Sequence, residues 1–348
     1  MGLIDTLASG FRLAQRKPWL LVLPVLADLW LWLGTHLSIK PLIDGILALW
    51  SPATLPPDFA AMAGPYQQML SSAGDSFNLW WLLSNELTWL HLLIPGLDAP
   101  ARFAPATPVT EVPTLALILW VPLLLLVALG LGSLFVTAVT SQLQAFRATP
   151  SPAERLPDSG EQAAQVQDQP GLGHWVRRGL RTWLMVSVYG LLVLALLILV
   201  ILALSIVLTG VMLVAPSLSA GFGTLSVLLV GWVVIWFYLM LYFVVAALVV
   251  DGTSLPQALW RSANVTSRNF WATIGLVILT NLILGGFGFI WQRLAVLSPW
   301  GVLAGILGNA FLLTGLVATR LMFYRERYAN WQATLAAQKA TASPPAGS

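Results

Sequence analysis

LRTWLMVSVYGLLVLALLILVILALSIVL, from Leu180 to Leu208, decides the fold. Past Arg181 it holds no charged side chain, and it exceeds the ~20 mostly apolar residues that a helix needs to cross a bilayer. Lipid offers backbone N–H and C=O groups no water, so such a segment must satisfy them within itself, as a helix. Arg177, Arg178 and Arg181 stand at its leading end. Cationic residues massed on one flank mark the cytoplasmic side of a membrane helix.

Working outward, five more stretches read the same way: Pro18–Ser38, Thr114–Val136, Leu225–Val249, Phe270–Phe289 and Gly301–Phe323. The basic residues fall on alternate sides of them. Arg12, Arg16 and Lys17 precede the first span, and Arg147 and Arg155 follow the second. Arg261 and Arg268 separate the fourth from the fifth, and Arg320, Arg325, Arg327 and Lys339 close the sixth. Of the seventeen Lys and Arg residues, only Lys40, Arg102 and Arg293 lie on the other side. The sequence thus predicts an all-α, polytopic transmembrane bundle of about six spans, a single integral membrane domain over 1–348. Both termini are expected in the cytoplasm and the chain in the plasma (inner) membrane.

Composition agrees: 58% of residues are hydrophobic and 9% charged, with a mean hydropathy of +0.82. A soluble domain carries about 25% charged residues. The net charge of +3 is spread along the span ends rather than gathered in a patch, so no nucleic-acid partner is expected. The absence of Cys removes disulfides, thiol nucleophiles and Cys-ligated metals. No P-loop, G-x-S-x-G, H-E-x-x-H or dinucleotide fingerprint occurs. No cofactor and no enzyme activity are expected.

The segment 39–111 is the one large outer region. It carries Asp44, Asp58, Asp75, Glu86, Asp98 and Glu111, with no basic residue from Pro41 to Ala101. Leu79, Leu83, Leu87, Leu90 and Ile94 recur at helical spacing, which predicts an amphipathic helix over Asn78–Leu93 lying in the interface. His36 and His91 share this side with Glu86 and Asp98, but their spacing matches no metal motif. The stretch 141–171, rich in Pro, Gln, Ser and Asp from Thr149, reads as a flexible cytoplasmic loop, and 339–348 as a disordered tail.

Each pair of spans is preceded by a short amphipathic segment on the basic side. The first carries Leu3, Leu7 and Phe11 on one face. The middle one covers about Leu172–Thr182. The third is capped by Ser254 or Thr253 with Pro256 in its first turn, and Leu255, Leu259 and Ala263 are expected to face the membrane. At an offset of 252, Leu7, Arg16 and Trp19 match Leu259, Arg268 and Trp271, a pattern open to two readings: an internal repeat or shared chemistry of membrane entry.

Asp28 is the most informative single residue. It falls near the middle of the first span, where an acidic side chain costs about 2.5–3.5 kcal/mol. At a rise of ~1.5 Å per residue, Asn281 in the fifth span and Asn309 in the sixth reach the same level. A midplane polar cluster of Asp28, Asn281 and Asn309 is therefore expected to join three helices. Gly301, Gly305 and Asn309 form a small-residue stripe on one helix, and Thr273, Asn281 and Gly285 form another. Both permit close helix approach. Pro24 frees the carbonyl of Leu20 and predicts a kink.

The stretch VVDGTSLPQALWRSANVTSRNFWATIGLVIL, Val249 to Leu279, resembles a pattern of prokaryotic six-helix membrane-domain families. Among them is the membrane domain attached to some glycerophosphoryl diester phosphodiesterases. The matching positions are Asp251, Gly252, Ala258, Leu259, Ser262, Arg268, Phe270 and Trp271. Gly10 to Gly34 looks like the first span of the same families. The resemblance implies fold and topology rather than activity, since no segment is long and polar enough to hold the soluble phosphodiesterase barrel. The expected function is a non-catalytic envelope scaffold or accessory subunit. Its partners are the lipid bilayer and other membrane proteins. The alternative is a small-solute or lipid transporter using the site around Asp28.

Overall fold

The computed structural model describes residues 2–49, 57–84, 90–93, 108–148, 172–214 and 219–342. In chain order these form α1 (Leu3–Arg16), a 3₁₀ turn (Pro18–Leu21), α2 (Val22–Leu33), β1 (His36–Ser38), α3 (Lys40–Leu49) and α4 (Pro57–Ser76). A second 3₁₀ turn (Leu79–Leu83), β2 (Val109–Glu111), α5 (Thr114–Ala148), α6 (Leu172–Val214) and α7 (Ser219–Leu241) follow. The chain closes with α8 (Val244–Asp251), α9 (Leu255–Arg268), α10 (Phe270–Leu297) and α11 (Pro299–Ala342). It is an all-α polytopic bundle, and among the described residues five stretches are long and apolar enough to cross a membrane: α5, α6, α7 with α8, α10 and α11. This is a multi-pass membrane protein.

Several expectations are corrected. The first apolar helix is shorter than a full span, covering Pro18–Leu33. It opens as 3₁₀ and ends at Gly34, whose extended backbone (φ −80°, ψ 176°) turns the chain into β1. Pro24 lies in the first turn of α2, where a missing N–H costs little. β1 pairs in parallel with β2, His36 opposite Val109 and Ser38 opposite Glu111, a contact that no periodicity announced. The predicted helix over Asn78–Leu93 is instead one 3₁₀ turn that stops at Ser84. Residues 90–93 are not helical, and Leu90, Leu92 and Leu93 are buried. The Ser84 hydroxyl holds this shape by donating to the Leu90 carbonyl at 3.0 Å and accepting from the Leu92 N–H at 3.2 Å.

The segment 141–171 begins as helix, since α5 runs to Ala148, and the rest of it to 171 lies outside the described residues. The tail assigned to 339–348 is helical to Ala342, and 343–348 lie outside the described residues. The middle amphipathic segment is the uninterrupted start of α6.

The chain divides into two units: Met1–Ser9 with Val136–Leu279 and Ala318–Ser348, and Gly10–Phe135 with Thr280–Val317. In the second unit, Trp32, Leu93, Ala295, Val302 and Ile306 form one core. Leu37, Leu79, Val112, Leu117 and Leu124 form another. On the small-residue stripe of α11, a Cβ on Gly305 would lie 2.8 Å from Leu93 and 3.3 Å from Trp291 of α10; off the stripe, one on Gly315 would run into the Phe11 ring.

In the first unit, the fourth span is not one helix. α7 stops at Leu241 and α8 resumes at Val244, with Tyr242 and Phe243 in a turn between them. α9 packs on both pieces. Its buried face is Ala258, Ser262, Val265 and Thr266, whereas Leu255, Leu259 and Ala263, expected to face the membrane, are half-buried. The chain reaches α9 through Gly252, whose φ of +62° is the left-handed helix cap that glycine adopts without strain.

α1 and α9 are each 14 residues long. At the offset of 252, buried Thr6, Gly10, Leu13 and Ala14 fall on buried Ala258, Ser262, Val265 and Thr266. The correspondence marked by three identities thus extends to the burial register of the two helices.

Candidate functional site

The second unit holds Asp28 at zero exposure. Its Oδ1 accepts the Leu93 N–H at 2.8 Å, and its Oδ2 accepts Asn309 Nδ2 at 3.3 Å. The same Asn309 nitrogen donates to the His91 carbonyl at 2.7 Å. α2 and α11 supply the side chains, and the non-helical strip 90–93 supplies the backbone groups. A carboxylate is suited to this position because its two oxygens can accept from a backbone N–H and an amide at once.

Asp28 and Asn309 are thus brought together. Asn281 is not, because its side chain lies on an exposed face of α10. Gly285 is exposed with it, whereas Thr273 is buried. Depth along the bilayer fixed a level for Asn281 but not the direction in which it points. Sequence reasoning also missed the Leu93 N–H, because no residue type marks a backbone donor.

The first unit holds a second polar centre that the sequence did not announce. Where α7 breaks, the carbonyls of Leu239 to Tyr242 leave the regular helical pattern, that of Leu239 accepting the Tyr242 N–H at 3.2 Å, and each meets a side chain. Thr266 Oγ1 donates to the Leu239 carbonyl at 3.2 Å, and Ser262 Oγ to the Met240 carbonyl at 2.7 Å. The Tyr189 hydroxyl lies 3.5 Å from the Leu241 carbonyl. Arg320 Nε donates to the Tyr242 carbonyl at 3.1 Å, and its Nη2 reaches the same oxygen. Ser262 Oγ also accepts the Phe243 N–H at 3.0 Å. The Arg320 guanidinium sits 3.6 Å from the centre of the Tyr242 ring, within cation–π range. Unwound backbone at membrane depth persists only where protein or water satisfies it, and here the side chains of α6, α9 and α11 do so. A usable signal was present: Ser262 and Thr266 stand four apart on one face of an amphipathic helix, where an ordinary buried face would be apolar.

Below the break, Asp251 Oδ2 accepts Arg261 Nη1 and the Tyr324 hydroxyl, both at 2.7 Å. Tyr324 is fully buried and stacks on Tyr328 at 5.8 Å. Arg261 lies over Tyr328 at 4.7 Å, and Arg268 over Trp331 at 5.3 Å. The end of α8, α9 and the tail of α11 are therefore clamped by charge and aromatic faces together. Asp251, one of the positions that carry the family resemblance, is the centre of that clamp.

Outside the long apolar helices, Lys40 Nζ of α3 pairs with Asp75 of α4 at 2.5 Å, and that hydrogen bond pushes the Lys40 pKa up. Burial lowers the pKa of His36 against a hydrogen bond with the Phe77 backbone. Among the described residues, no group of three or more His, Cys, Asp or Glu could hold a metal ion, and Glu86 and Asp98 lie outside them.

Both centres belong to the class of polar devices inside multi-pass helical membrane proteins. No family model, curated protein or solved structure matches the chain.

Proposed function

We propose that this protein is a non-catalytic scaffold or accessory subunit of the plasma (inner) membrane, with both termini in the cytoplasm. The observation that carries the reading is the state of Asp28: no exposed surface, with both carboxylate oxygens engaged by the protein's own donors. A transport site must present polar groups to its cargo. Discontinuous transporter helices offer their freed carbonyls to ions or substrates. Here the freed carbonyls of the α7–α8 turn meet Thr266, Ser262, Tyr189 and Arg320 instead. Interior polarity used in this way supports a static framework. The alternation of basic residues supports the threading. The likeness of Val249–Leu279 to the six-helix families fits such a role, and Ser262 within it is one of the residues that close the turn. The partners are the lipid bilayer and other membrane proteins.

The test is reconstitution of the full chain in liposomes with proton and small-solute flux recorded across them. A scaffold gives flux equal to empty liposomes, and Asp28→Asn changes nothing. Flux above that level that vanishes with Asp28→Asn contradicts the proposal and establishes the transporter.

A further inference from the structure

The basic end of α6 forms one wall of a cavity of about 780 Å³, lined by Arg177, Arg178 and Arg181 and, opposite them, by the chain from Leu248 to Thr253. Arg178 is fixed there, its Nη2 donating to the Val249 carbonyl at 3.1 Å. Arg177 and Arg181 are exposed. Asp251 also lines the cavity, but its carboxylate already faces Arg261 and Tyr324. Its charge is met from outside the cavity, so it does not cancel the arginines. Met185, Leu248 and Val250 give the same space apolar walls.

We infer that this cavity binds a phosphoryl anion, carried by the headgroup of an acidic phospholipid. Guanidinium forks match phosphate oxygens in pairs, and basic pockets between membrane helices take anionic headgroups. The volume lies within the range of small-molecule sites and far exceeds the ~30 Å³ share of a single water. It accommodates a headgroup with its glycerol, and the apolar walls suit the start of an acyl chain. Free phosphate offers the same anion without the apolar part. The cavity would hold such a ligand in a scaffold and in a transporter alike.

The experiment is thermal unfolding of the full-length protein in a neutral detergent, with phosphatidylglycerol, phosphatidylcholine or inorganic phosphate added. Phosphatidylglycerol is expected to raise Tm in a saturable way, and phosphatidylcholine to raise it less. In Arg177→Gln/Arg181→Gln the unliganded Tm stays unchanged, and the apparent affinity for phosphatidylglycerol falls by at least ~10-fold, the loss expected for charge-assisted phosphate contacts. Arg181→Gln alone gives a smaller loss in the same direction and serves if the double variant folds poorly. A shift with inorganic phosphate that the same variants lose, with none specific to phosphatidylglycerol, keeps the phosphoryl site but assigns it to free phosphate. Equal shifts in wild type and both variants, or no shift with either anion, overturn the inference.

Discussion

Asp28 shows how far one residue can be read. Its burial with Asn309 followed from composition and depth, because a carboxylate inside an apolar span is tolerated only with a partner. The failure of Asn281 to join them, and the role of the Leu93 N–H, were illegible, since helix azimuth and loop path are tertiary properties. Replacement tests the arrangement. Asp28→Asn keeps one acceptor oxygen and is expected to cost about 1 kcal/mol or less, in line with the ~0.6 kcal/mol average for hydrogen bonds inside membrane proteins. Asp28→Leu leaves the Leu93 N–H buried without its acceptor, while Asn309 keeps the His91 carbonyl, and should cost about 1–3 kcal/mol, one desolvation penalty. Reversible unfolding in mixed detergent micelles measures both. Equal costs for the two variants would show that the oxygens are not what holds α11 to the strip at Leu93. Gly305 makes a related prediction. Gly305→Val pushes a side chain into Leu93, and overpacking of this kind costs about 1–3 kcal/mol.

At the scale of elements, the long apolar helices were legible and the interruptions were not. Hydropathy saw Leu225–Val249 as continuous because Tyr242 and Phe243 are themselves apolar enough to stay in lipid. What breaks the helix is the set of competing donors on α6, α9 and α11, invisible to a one-dimensional window. The helix predicted over Asn78–Leu93 failed for the converse reason. Its leucines have helical spacing, yet Leu90, Leu92 and Leu93 reach the interior as an irregular strip fastened by Ser84 and Asp28. Where side-chain donors close an unwound turn, removing one exposes a buried backbone group. Ser262→Ala strips partners from both the Met240 carbonyl and the Phe243 N–H and is expected to cost about 2–3 kcal/mol. Arg320→Lys retains one charged donor and Arg320→Leu none, so stability should fall in the order wild type, Lys, Leu. Detergent unfolding checks the order. A stable Arg320→Leu protein would mean that the break at Tyr242 is set by α7 itself.

For the whole molecule, solvent is the governing variable. Among the described residues, five stretches are long and apolar enough to cross a bilayer, and the polar groups at Asp28 and at the α7–α8 turn are met by the protein itself. The fold class was readable because apolar length and charge placement are linear properties of a chain. The first short helix and the small parallel pair β1–β2 were not, since both depend on where Gly34 and the chain near Val109 meet in space. The natural absence of cysteine makes the most direct test simple. Single cysteines placed at Ser72 and Ser159, one before and one after α5 in the sequence, are probed in intact cells with a membrane-impermeant maleimide. The account predicts that Ser72→Cys is labelled at once and Ser159→Cys only after the membrane is permeabilised. Labelling of both in intact cells, or of neither until permeabilisation, would contradict it.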